Sequence, residues 1–216
     1  MIPPPVPTIS ASPAPSASPR ELKTIITVIS SPYCNSLADH FNSALVPMLG
    51  NDRTLQQTGA SLDTVNTLWD EPNYEQLYLG ARDAIGKQIE VIGNSLDEIQ
   101  RQIDALRAGD KLSSDPNAAA QIRAAAAQLQ LAFDKQRQME IDLTNLHRAM
   151  IDYHIERANP AMGGFSEPEM SQPPEMRDIK SYLRFDGRRD AIADAEGKAV
   201  DIAYAAAQTY CTTPAH

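Results

Sequence analysis

Residues 85–106 read IGKQIEVIGNSLDEIQRQIDAL, and the apolar positions Ile85, Ile89, Ile92, Leu96, Ile99, Ile103 and Leu106 follow one another at steps of 4, 3, 4, 3, 4 and 3. A stripe of that period lies along one face of a helix and must be buried against another helix. The rest of the chain can be read as the means of burying it.

The helix carrying this stripe has recognisable ends. Asn73-Tyr74-Glu75-Gln76 places a capping amide three residues before a Gln, and Asp70, Glu71 and Glu75 put negative charge near the positive end of the helix dipole. Arg107 and Gly109 mark the other end. The span is about 35 residues, or roughly 50 Å at the α-helical rise. Residues 109–115, GDKLSSD, form a turn, and Asp115-Pro116 supplies an N-cap followed by proline at the first helical position.

A second stripe then runs through Ile122, Ala126, Leu129, Phe133, Gln136, Met139, Leu143, Leu146, Met150 and Tyr153. Its steps are 4, 3, 4, 3, 3, 4, 3, 4 and 3, with a slip at Gln136 that predicts local overwinding. This helix extends to about Arg157, before Asn159-Pro160. Two helices of similar length joined by a short turn are expected to pack as an antiparallel hairpin.

Around the hairpin the sequence predicts shorter pieces. Ser31-Pro32 opens a helix with Leu37, Phe41, Ala44, Leu45 and Met48 inward, which Pro47 kinks or ends near Gly50. A second short helix covers Thr54 to Trp69, with Leu55, Leu62, Val65 and Trp69 inward. A last, Ala-rich helix runs from about Gly187 to Tyr210, with Ile192, Ala195, Ala199, Ile202 and Ala206 in register. It is expected to dock where Gly86 and Gly93 permit close approach. Residues 159–177, with Met162, Met170, Met176 and several prolines, read as a connection that could also present an adaptable apolar surface. Lys23 to Ile29, KTIITVI, is β-branched; it is an extended strap, the first turns of a helix, or one strand of a minor two-stranded β ribbon with Lys180 to Phe185, KSYLRF. Residues 1–22 hold all the prolines before Pro32 and read as a disordered Pro/Ser/Ala-rich stalk. The expected fold is therefore all-α: a long, coiled-coil-like antiparallel hairpin bundled with shorter N- and C-terminal helices in one domain, residues 23–216.

Composition narrows the function. The net charge is −9, and the densest basic spot, Arg188-Arg189, is flanked by Asp186 and Asp190. Such a chain repels phosphate backbones, so nucleic acid is not an expected partner. No apolar run is long enough for a transmembrane segment. Met1-Ile2 leads directly into prolines with no apolar signal core, yet residues 1–20 resemble the stalk that follows a removed leader in exported proteins. The expected location is the periplasm, cell surface or extracellular space.

Cys34 and Cys211 are the two cysteines of the chain, one near each end of its folded part. In an exported protein they are expected to form a disulfide; in a cytosolic one they would be two buried thiols. Neither redox catalysis nor a zinc site is suggested, because no C-x-x-C spacing or larger ligand set accompanies them. His147, Met150 and His154 fall near one helical face and are candidate metal ligands, with Glu140 one heptad earlier. The competing reading places Met150 in the seam and both histidines on its flank. His40 and His216 add no spacing. The chain has no Glu-x-x-His pairs of a di-iron bundle, no haem-attachment motif, no nucleophile elbow and no Gly-rich phosphate loop, so no cofactor and no catalytic residue is assigned. The functional expectation is an exported, non-enzymatic structural or protein-binding module of the cell envelope. It would meet a protein partner, or a second copy of itself, through the hairpin. The alternative is a small-ligand or metal carrier using the bundle interior.

Overall fold

The computed structural model describes residues 24–67, 73–158 and 179–212. Among these residues the helices are α1 (Pro32–Thr67), α2 (Tyr74–Ala108), α3 (Pro116–Ala158), the one-turn α4 (Ile179–Leu183) and α5 (Phe185–Tyr210), with a 3-10 turn at Gly109–Leu112 between α2 and α3. The all-α hairpin bundle expected from the stripes is present.

Side-chain pairings set the directions. Along α1 and α2, Ser36 lies by Gly109, His40 meets Gln102 and Asn51 meets Ser95, so these helices are antiparallel. Between α3 and α5, Gln136 meets Glu196 and Asp142 meets Arg188, again antiparallel. Tyr33 and Met48 of α1 bond Ala118 and Gln136 of α3 in parallel order. The result is an up-down-up-down four-helix bundle in which each long helix packs on its chain neighbours and α5 closes the ring against α1.

Three local expectations need correction. The N-terminal region is one helix rather than two, and Pro47 lies inside it. Its seam runs through Leu37, Phe41, Ala44, Met48, Asn51, Leu55, Thr58, Leu62 and Val65, every one of them buried. Polar Asn51 and Thr58 hide this continuity in the sequence. Proline in a helix interior costs about 3 kcal/mol, and two flanking stretches of buried seam outweigh that. Second, no β ribbon forms among the described residues. Lys180 to Leu183 is helical, while residues 24–31 run as an extended strap. Asn42 clamps the strap by bonding both the N–H and the C=O of Ile25 at 2.9 Å, standing in for a neighbouring strand. Third, α5 docks on α3 and α1 rather than on the Gly86/Gly93 side of α2. Gly86 faces His147 of α3, and Gly93 has open space around its Cα.

Caps follow sequence in two cases of three. The Ser31 Oγ accepts from the Cys34 N–H at 3.1 Å, and Asp115 Oδ1 accepts from the Asn117 N–H at 2.8 Å. Asn73 makes no side-chain capping bond at the start of α2. Trp69, the loop methionines and the stalk lie outside the described residues.

Candidate functional site

Apolar side chains fill the bundle above and below its midpoint, and a polar layer interrupts them there. Asn51 of α1, Gln136 of α3 and Glu196 of α5 are buried, at 2 %, 0 % and 1 % exposure. Ser95 of α2 completes the ring. The Gln136 Nε2 donates towards Met48 O at 3.0 Å, Glu196 Oε1 at 3.1 Å and Asp52 Oδ1 at 3.3 Å. Its Oε1 accepts from Asn51 Nδ2 at 3.1 Å, and Asn51 Oδ1 accepts from Ser95 Oγ at 3.0 Å. Three acceptors gather round an amide nitrogen that carries two protons, which fixes the amide's orientation. All four long helices are thereby tied at one height.

What such a layer does chemically is discriminate. Buried polar groups are tolerated where partners satisfy them and become costly where they do not. Sliding any helix by one turn would bury Asn51, Gln136 or Glu196 against Leu, Ile or Ala. The layer therefore favours one register and one arrangement of helices. The three-residue slip at Gln136 is the sequence signal for it. Nothing in the sequence marks Glu196, which sits beside Ala195 in an Ala-rich helix.

At one end of the bundle Cys34 and Cys211 form a disulfide, with S–S 2.09 Å and Cα atoms 5.6 Å apart. The residues before the two cysteines meet each other: Tyr33 and Tyr210 pack edge to face with centroids 6.1 Å apart. The Tyr33 hydroxyl donates to Ala118 O at 2.9 Å, and burial, with lesser contributions from Tyr210 and Asp115, pushes its pKa up to about 12. The strap is bound here as well. The N–H groups of Val28 and Ile29 donate to Cys211 O, and Tyr204 donates to Thr24 O. Ser36 packs on Gly109, where a Cβ would collide with its hydroxyl, so α1 covers the hairpin turn.

The histidine face divides. Met150 is fully buried in the seam, and its carbonyl accepts from Tyr78 at 2.9 Å. His147 is half-buried with its ring seated on Gly86; a Cβ there would lie 2.9 Å from the imidazole. Burial, reinforced by Arg82, lowers the His147 pKa from 6.5, against an opposing pull from Asp83. The His154 side chain lies outside the described residues, so the candidate set His147, Met150 and His154 is placed only in part. Among the described residues no three His, Cys, Asp or Glu side chains gather as metal ligands, and no helix is long and apolar enough to cross a membrane. Compared with protein-family models, curated proteins and solved structures, the chain gives no match.

Proposed function

We propose that this chain is an exported, non-enzymatic helical-bundle protein acting as a structural or protein-binding module of the cell envelope. The observation that carries this reading is the Cys34–Cys211 disulfide, which joins residues 177 apart and belongs to oxidising compartments. A cross-link closing so long a loop stabilises mainly by restricting the unfolded chain, which suits a protein working beyond the reach of chaperones. The buried, mutually bonded polar layer also serves the bundle's own architecture, which leaves recognition to the outer surface. The hairpin flank is the surface in question: Val91 on α2 and Leu131 on α3 are 55 % and 45 % exposed.

Two measurements on cells expressing the full chain test this reading. Fractionation with non-reducing intact mass should place the protein outside the cytoplasm, about two daltons lighter than its reduced form. Photo-crosslinkers at positions 91 and 131 should capture a specific protein or a second copy. A cytoplasmic protein with two free thiols, or no adduct from either position, would defeat it.

A further inference from the structure

A groove of about 510 Å³ opens between α3 and the elbow joining α4 to α5. Leu146, Ala149 and Leu183 form its apolar wall, and Asp142, Asn145, Arg184 and Arg188 its polar one. The volume falls within the roughly 300–1,000 Å³ of small-molecule sites, and the lining has their character, an apolar surface with a few convergent polar groups.

The charges in the groove do not cancel. Arg188 donates to Asp142 Oδ2 at 2.7 Å and reaches Leu183 O at 3.4 Å, so that pair is internally balanced. Arg184 is exposed, and among the described residues its guanidinium forms no salt bridge. The groove thus holds one surplus positive charge in a protein whose net charge is −9. Backbone geometry singles out the same residue. Arg184 has φ 48° and ψ 41°, the one positive-φ non-glycine residue among those described. A Cβ disfavours that conformation, for which glycine would be the ordinary occupant, and strained residues of this kind cluster at ligand sites.

We propose that this groove binds a small amphipathic anion, a carboxylate- or sulfonate-type group held by the Arg184 fork with its apolar body against Leu146, Ala149 and Leu183. Planar guanidinium donors match such groups, and a cationic ligand would meet two arginines. The proposal extends beyond the protein-binding reading and stands independently of it.

Binding of anilinonaphthalene sulfonate to the native, disulfide-bonded chain tests it, with the uncharged phenylnaphthylamine as control. Saturable one-site binding of the sulfonate is expected. Arg184→Gln should weaken it about tenfold while leaving the uncharged dye unaffected. Ala149→Trp, at an exposed position, should abolish binding of both dyes by filling the groove. Arg184→Gly separates binding from folding, because relief of the strained backbone should raise the melting temperature while affinity falls. Absence of saturable binding, or unchanged sulfonate affinity in Arg184→Gln, overturns the proposal.

Discussion

The two ends of the bundle are closed by different means. At the disulfide end a covalent bond, a tyrosine pair, the clamped strap and the Ser36–Gly109 contact all engage the first part of α1. At the elbow end closure rests on packing and surface charge. Phe185, wholly buried, sits on Gly59, where an added Cβ would lie 3.0 Å from its ring. Lys180 bridges to Asp63 at 2.8 Å and to Asp186 at 3.9 Å. Exposed ion pairs of this kind contribute at most about 1 kcal/mol each. The strained residue and the open groove are both at this end. Cross-links and clamps are thus concentrated where the strap meets the end of α5, and the open groove lies towards the other end of the bundle.

The largest expected effect comes from removing the covalent closure. Cys34→Ser with Cys211→Ser should lower unfolding stability by up to about 5 kcal/mol in denaturant titrations. Amide exchange should then quicken near Tyr33 and Tyr210 and erase the contrast between the ends. Phe185→Ala attacks the other end and should cost about 3–5 kcal/mol through its cavity. Exchange should rise first in α4 and the start of α5, with the disulfide end still protected; uniform loss of protection would show that the ends are not separable.

The polar layer between them is expected to behave asymmetrically. Gln136→Leu alone takes a donor from Asp52 and Glu196 and an acceptor from Asn51, and should cost about 1–3 kcal/mol. Replacing Asn51, Gln136 and Glu196 together by Leu should recover that loss or exceed it, with broadened NMR signals as helix register becomes less specific. Gly86→Ala, in the elbow half, should displace the His147 imidazole at a cost of about 1 kcal/mol. The smallest effect is on pH. His147 has a folded pKa below its unfolded 6.5, so the unfolded chain takes up the proton first. Its contribution is fully present above about 6.5 and is lost as pH falls towards the lowered folded value. His147→Gln should flatten the melting temperature over that window.

Much of this was readable because it depends on local rules. The heptad stripes of α2 and α3, the Asp115-Pro116 start and the antiparallel hairpin follow from helical period and short connection. The α1 seam was equally periodic, but Asn51 and Thr58 broke its apolar run, and Pro47 and Gly50 looked like a boundary. A helix-breaking residue reads as an end only until the burial on both sides of it is known. Of the readings open for the β-branched stretch, the extended strap is the one that forms. Its backbone is held by the Asn42 and Tyr204 side chains and the Cys211 carbonyl, partners that no strand pattern announces.

Sequence alone determined that the chain is helical, acidic and able to close on itself through two cysteines, since period, charge and residue type are properties of the chain. Tertiary structure decided which helices are neighbours, that the stripe at 85–106 is packed against both α1 and α3, and that Asn51, Ser95, Gln136 and Glu196 meet at one height. Those outcomes depend on how separate stripes share one interior. Such sharing is settled by total burial and polar satisfaction across all four helices, which no single stretch encodes.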